Sequence, residues 1–191
     1  MRSRKGKTSS DEELAHAVQS GDAQSYGILV ERYEAKLSRY IRKFMWVKED
    51  AEDVLQDVFL KSYEHIQSFD RNRKFSSWIY RIAHNECINR MKRKRSYSFS
   101  AIDFDTWLPN FTSGESPHDE VETKELKKTI NECVGQLSPK YREPIVLHYL
   151  QEMSYKEISD IMRIPVSTVG VRISRARAQL SKLWEQFDTQ I

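Results

Sequence analysis

The sequence predicts an all-α protein: two small helical domains, an N-terminal helical bundle and a C-terminal helix-turn-helix domain, joined by a flexible acidic linker. Apolar residues recur at helical spacing through residues 23–95 and again from 121 to the end. Glycine and proline are scarce, 6 and 5 in 191 residues. Between the two periodic stretches, residues 96–120 are rich in Ser, Asp, Pro and Gly and contain no Lys or Arg. Such a segment offers no continuous face to bury and reads as a tether.

The elements follow in chain order. Residues 1–22 form an N-terminal extension with a short helix, which Ser10 and Glu13 open at capping-box spacing and Gly21 closes. From residue 23, Tyr26, Leu29, Val30, Tyr33, Leu37, Tyr40, Ile41 and Phe44 make the buried stripe of a long amphipathic helix. Residues 50–66 make the next, with Val54, Leu55, Val58, Phe59, Tyr63 and Ile66 inward. A polar loop covers 67–74. A third helix runs from 75 to about 94, ending in Lys92-Arg93-Lys94-Arg95. Three such helices can bury one common core. In the linker, Phe99, Phe104, Trp107 and Phe111 are the residues able to dock elsewhere.

The second domain starts near residue 121, where Leu126, Ile130, Cys133 and Leu137 line one helix. Ser138 and Pro139 supply an N-cap and a first-turn proline for another, whose core face is Ile145, Val146, Tyr149 and Leu150. Ser154 and Glu157 have capping-box spacing again; Ile158, Ile161 and Met162 then share a face, and Pro165 halts the helix. A second helix follows, with Val166, Val169 and Ile173 inward and Arg172, Arg175 and Arg177 around the rest; Leu180, Leu183 and Trp184 pack its last turns. Two helices about a tight turn, the second carrying arginines, form a helix-turn-helix whose second helix fits the DNA major groove. A helical hairpin with a solvated basic face is the competing reading. Between residues 163 and 182 there are five basic residues and no acid, so the helix lacks the compensating ion pairs of a merely solvated face.

The net charge of +3 says little; its distribution says more. Residues 71–95 are crowded with Arg and Lys and hold Glu86 as their one acid, while the linker is acidic. Two cysteines, Cys87 and Cys133, are too few for a disulfide framework and point to a reducing compartment, the cytoplasm. His84 and Cys87 lie at i, i+3, but no second pair stands at metal spacing, so no metal and no cofactor is expected. The sequon at Asn110 matters only in a secreted chain. The basic start is followed by polar residues where a signal peptide needs an apolar core, and no run is long enough for membrane insertion.

In this order the two domains resemble the bacterial RNA polymerase sigma factors of extracytoplasmic-function (ECF) type. The resemblance rests on AEDVLQDVF at 51–59, SFDRNRKFSSWIYRIAHNECIN at 68–89 and YREPIVLHYLQEMSYKEISDIMRIPVSTV at 141–169. It implies that residues 23–95 are sigma region two, binding core polymerase and recognising and melting the −10 element. Residues 121–191 are then region four, recognising the −35 element. The implied partners are promoter DNA, core RNA polymerase through its β′ clamp helices and β subunit, and an anti-sigma factor that restrains the protein until a stress signal arrives.

The resemblance also distributes roles. Asp53, Gln56 and Asp57 map to the surface that docks on the β′ clamp helices, where acids beside an apolar stripe suit a basic partner. Lys61, His65, Phe69, Arg81, Asn85 and Asn89 map to capture of the −10 strand: amides pair with a base edge, a ring stacks on its face, and cations hold phosphates. Trp78 and Tyr80 are candidate wedges, with core packing the better assignment for at least one. Ser167, Thr168, Val171, Arg172, Ser174, Arg175 and Arg177 map to the −35 contacts. Here the chain departs from the family, which commonly carries Lys or Arg in place of Gly170 and a small polar residue in place of Val171.

Two other classes compete. A conventional helix-turn-helix regulator would bind duplex operators without polymerase, but a small-molecule domain has no use for so basic a segment as 71–95. A nucleic-acid enzyme would need paired carboxylates at metal spacing, a phosphate-cradling glycine loop or a nucleophile beside a base, and the sequence has none of these.

Overall fold

The computed structural model describes residues 9–97 and 121–188, and among them it is helical with no strand. The chain forms two compact units. The expected linker aromatics, Phe99, Phe104, Trp107 and Phe111, lie outside the described residues, as does the side chain of Leu126.

The first unit holds α1 (Asp11–Gln19), α2 (Ala23–Ile41), α3 (Lys48–Glu64), a 3₁₀ turn (Ile66–Ser68) and α4 (Phe75–Tyr97). The Ser10–Glu13 capping box is formed: Glu13 N–H donates to Ser10 Oγ at 3.1 Å and Ser10 N–H to Glu13 Oε2 at 2.9 Å. Gly21 takes φ +101°, which only glycine adopts freely, and Asp22 then caps α2 by accepting from the Gln24 N–H at 3.1 Å. The core gathers Leu14 and Val18 from α1 with Leu29, Tyr33, Leu37, Tyr40 and Ile41 from α2. Val54 and Val58 of α3 and Phe75, Ile79, Tyr80, Ala83 and Cys87 of α4 close it. Aromatic rings dominate it, with Tyr33 and Phe69 each 5.4 Å from Phe75 between centroids and Tyr40 5.3 Å from Tyr80. Burial pushes the Tyr33 and Tyr80 hydroxyls well above the usual phenol range, so both stay neutral; Tyr33 donates to Asp11 Oδ2 at 2.6 Å. Both Trp78 and Tyr80 are buried, which removes the wedge reading for each. Tyr63, expected inward, is exposed, its ring tilted against that of Tyr26 at 4.9 Å between centroids; the Tyr26 hydroxyl meets Ser62 Oγ at 2.7 Å.

The second unit holds α5 (Val121–Gln136), α6 (Pro139–Ile145), a π-helical turn (Val146–Leu150), α7 (Tyr155–Met162) and α8 (Val166–Asp188). Its core is Cys133, Val134, Leu137, Ile145, Val146, Leu147, Met153, Ile158, Ile161, Val169, Ile173 and Ala176. Pro139 stands in the first turn of α6 as the sequence predicts, although Ser138 caps through backbone alone. The expected core face of α6 is wrong in one part. Tyr149 and Leu150 are each 52% exposed, because the chain widens into the π turn just after Pro144 and loses the 3.6-residue register on which the prediction rested. Ile130 and Val166 are likewise exposed rather than inward, and Trp184 is 39% exposed near the end of α8. No helix among the described residues is long and apolar enough to cross a membrane.

Candidate nucleic-acid interfaces

In the second unit the helix-turn-helix is built from local chemistry. Ser154 and Glu157 cap α7 reciprocally, Ser154 N–H donating to Glu157 Oε2 at 2.9 Å and Glu157 N–H to Ser154 Oγ at 3.3 Å. Arg163 turns the chain with φ +53°, and Ser159 Oγ donates to the Ile164 carbonyl at 2.5 Å across that turn. Val169, Ile173 and Ala176 then anchor the inner face of α8. Opposite them, Ser167, Val171, Ser174 and Arg175 form one exposed arc, with Thr168 and Arg172 half-exposed on one flank and exposed Arg177 on the other. All seven predicted residues therefore lie off the buried face of one helix. That arrangement lets a helix enter a groove with polar and cationic groups leading.

Gly170 does not belong to that arc. A Cβ placed on it would lie 3.6 Å from the Tyr155 ring, an ordinary contact. Glycine inside a helix costs about 1 kcal/mol relative to alanine. Gly170→Ala is therefore expected to stabilise the second unit by about that amount with unchanged duplex affinity, read by amide hydrogen exchange over α7 and α8.

A buried cation beneath this surface escaped the sequence reading. Arg142, 1% exposed, donates Nε to the Leu137 carbonyl at 3.2 Å and Nη2 to the carbonyls of Leu137 and Gly135. It ties the end of α5 to α6. Burial pushes its guanidinium down to about 10, so it remains a cation at neutral pH. The only sequence signal was an arginine within an apolar period, which exposed arginines also give.

In the first unit the predicted −10 residues sort into two groups. Arg81, Asn85 and Asn89 fall at i, i+4 and i+8 on α4, with both asparagines exposed. His65 is exposed where α3 ends, beside the 66–75 loop. Lys61 is held to α4 by an ion pair with Glu86 at 2.7 Å, so the one acid of the basic stretch restrains a cation of α3. Phe69 departs from expectation most. Its ring is 5% exposed, packed on Phe75 and Trp78 at 5.4 and 5.5 Å, so in this conformation it supports the loop from beneath and offers no open face for stacking. The loop surface itself carries exposed Arg71, Asn72, Arg73 and Lys74. Asp70 shapes it, accepting from the Asn72 N–H at 3.0 Å while its carbonyl accepts from the Arg73 N–H at 2.9 Å.

A separate face of α3 carries Asp53, Gln56, Asp57 and Leu60 at i, i+3, i+4 and i+7, all exposed. Leu60, 58% exposed, falls outside the inward set that periodicity gives this helix, and it carries no role in the sequence-based expectation. Asp53 and Asp50 both reach Arg90 Nη2, at 2.5 and 3.2 Å, and the Asp53 contact raises the Arg90 guanidinium further above its ordinary value. Asp53 therefore serves α3–α4 packing as well as the exposed face. No group of three or more His, Cys, Asp or Glu able to hold a metal occurs among the described residues.

A basic loop beside exposed amides on one unit and a groove-sized helix with a cationic outer face on the other define a two-part DNA-recognition protein. Family matches fall on these same two units: Sigma-70 region 2 on residues 29–97 and Sigma-70, region 4 on residues 127–180. The ECF RNA polymerase sigma factor SigW of Bacillus subtilis is 37% identical over 171 residues, spanning 86% of this chain and 91% of that protein. The ECF RNA polymerase sigma-E factor of Escherichia coli is 33% identical over 177 residues, 87% and 90% of the two chains. CnrH, solved in complex with the cytosolic domain of CnrY, superposes with a TM-score of 0.68 at 28% identity, covering 93% of this chain and 99% of that one. The sigma factor RpoE of Bartonella quintana, solved with the anti-sigma factor NepR, shares the fold with a TM-score of 0.70 at 20% identity, over 85% and 98%.

The chain belongs to the ECF RNA polymerase sigma factors. It is a non-enzymatic subunit that binds core polymerase and directs promoter-specific initiation.

Proposed function

We propose that the two parts of this task divide between the units, region two spanning 23–95 and region four 121–191. One observation carries the division: the acidic-apolar stripe of α3 and the cationic arc of α8 lie on separate compact units. The stripe Asp53, Gln56, Asp57 and Leu60 docks on the β′ clamp helices, with Leu60 as the apolar anchor and the acids setting register. Arg81, Asn85, Asn89, His65 and the 67–74 loop take the melted −10 strand, and Lys61 joins them if DNA displaces Glu86. The α8 arc reads the −35 duplex. The protein works in the cytoplasm, where its polymerase and DNA are.

Control by an anti-sigma factor belongs to the same proposal. RpoE of Bartonella quintana was solved bound to one, and each unit here exposes apolar side chains, Val47 and Leu60 on the first and Tyr149 and Leu150 on the second. Such side chains are the surface a sequestering partner would cover.

The test is reconstitution. Purified chain plus core polymerase yields start-site-specific transcripts from promoters mapped after overproduction in the host, and core alone yields none. Asp57→Ala with Leu60→Ala is expected to weaken core binding at least tenfold in a fluorescence titration, while −35 duplex binding by the free full chain stays within twofold. Equal loss of both would refute the division. Asp53 is left intact in this experiment because its removal would also release Arg90.

A further inference from the structure

We propose that α1 is a clamp that holds the 66–75 loop in its strand-receiving shape, with Gln19 as the principal positioning residue. The proposal rests on the loop's role in −10 capture given above. One side-chain amide spans the loop entry: Gln19 Nε2 donates to the carbonyls of both Ile66 and Phe69, each at 2.8 Å. The loop returns the contact, Gln67 Nε2 donating to the Gln19 carbonyl at 3.1 Å. At the loop exit, Glu12 Oε1 accepts from the Phe75 N–H at 2.9 Å and so caps α4 from outside its own chain segment. Between these, Arg71 Nη1 lies 3.2 Å from His16 Nε2.

Glu12, His16 and Gln19 stand at i, i+4 and i+7, one stripe of α1, so a single rigid helix meets the beginning, middle and end of the loop. The opposite anchoring of α1 is equally explicit. Leu14, Ala15 and Val18 are buried, and Asp11 pairs with Arg32 of α2 at 2.5 Å and accepts from Tyr33. The helix is therefore fixed to the core before it touches the loop.

The consequence is preorganisation. Phe69 and the Asp70 turn order the loop from within, but its outer residues 71–74 are exposed and polar, and any ordering left to the moment of strand capture would subtract from affinity. Gln19 fixes the carbonyls at 66 and 69, which sets the direction in which Gln67 and Ser68 project, while Glu12 sets where Arg73 and Lys74 leave the turn. Neither Gln19 nor Glu12 need touch DNA.

The experiment uses the full chain bound to core polymerase. Gln19→Met keeps the side chain's length and removes both donated hydrogen bonds. Its expected result is about a tenfold loss of open-complex formation on duplex promoter, with core affinity within twofold of the parent. Discrimination between matched and mismatched −10 strand oligonucleotides also narrows, a readout that a purely structural role would leave alone. Amide exchange at 66–75 in the free protein speeds up while the α2 and α4 core keeps its protection. Glu12→Ala gives the same pattern more weakly, and Glu12→Gln, which keeps the acceptor, restores parental behaviour. Parental opening and discrimination in Gln19→Met overturn the clamp, as does failure of Glu12→Gln to restore function. A parent chain that gives no promoter-directed transcript removes the −10 reading and the clamp with it, a result distinct from a working parent beside an equally working variant.

Discussion

Replacing Arg142 with alanine is expected to destabilise the second unit by about 3–5 kcal/mol and to abolish −35 duplex binding, while the first unit keeps its fold. The reason lies in what the guanidinium satisfies. The carbonyls of Gly135 and Leu137 face the buried end of α5, and Arg142 donates to both. Without it they lose those donors in a site that admits no bulk water, at about 1–3 kcal/mol for each group left unsatisfied. The lost packing of a fully buried side chain adds to this. Relief of the cation's own desolvation works the other way, which keeps the figure from being larger.

The pH dependence follows from the same burial. The folded guanidinium sits at about 10, below its ordinary value, so the unfolded chain holds its proton more tightly. The desolvated charge therefore carries a cost throughout the range below about 10, partly offsetting what the side chain's hydrogen bonds and packing contribute, and that cost fades only as pH climbs from there toward the ordinary guanidinium range. At neutral pH the cost is constant, and no slope is expected from this residue. Arg142→Lys separates charge from shape: it keeps the cation but loses the fork, and falls between parent and alanine. The measurement is segment-resolved hydrogen exchange, because two units need not melt together. Loss of protection confined to α5–α8 is the expected pattern; parental protection there would remove the structural role.

How much of this was legible in the sequence depends on what kind of signal each feature leaves. Both capping boxes were readable because Ser10–Glu13 and Ser154–Glu157 are chemistry at fixed local spacing, and each formed as written. The inward positions of α2 followed from periodicity for the same reason. Periodicity failed where the backbone left the α register: the π turn after Pro144 carried Tyr149 and Leu150 to the surface. It failed again at Tyr63 of α3, which the pattern places inward and the structure exposes. Tertiary partners leave no local trace at all. Nothing near Lys61 announces Glu86, nothing near Gln19 announces the carbonyls of Ile66 and Phe69, and Phe69 looks alike in a stacking loop and in a core. On α8 the helix is regular, so spacing separates buried Val169 and Ile173 from exposed Ser167, Val171 and Arg175, although it also places Val166 inward where the structure exposes it.

Within that arc the two arginines at 172 and 175 are expected to fail differently when removed. Arg175 lies on the exposed arc with Ser167, Val171 and Ser174; with α8 in the major groove as proposed, that arc faces the base edges. Arg172 lies on the flank, half-covered; with α8 in the major groove as proposed, a flanking cation faces the phosphate backbone. Arg172→Ala should then weaken binding to every duplex alike and reduce the slope of log affinity against log salt by about 1. Arg175→Ala should cost about 1–3 kcal/mol on the matched −35 duplex and less on a duplex altered at one base pair, relaxing specificity there. The double change removes −35 recognition but spares core binding, since the α3 stripe belongs to the other unit. Fluorescence anisotropy on a matched and a singly altered duplex, at several salt concentrations, measures all of these. Identical salt slopes and identical base discrimination in the two single variants would mean that both arginines serve only as backbone charge, and that the sequence is read by Ser167, Val171 and Ser174 alone.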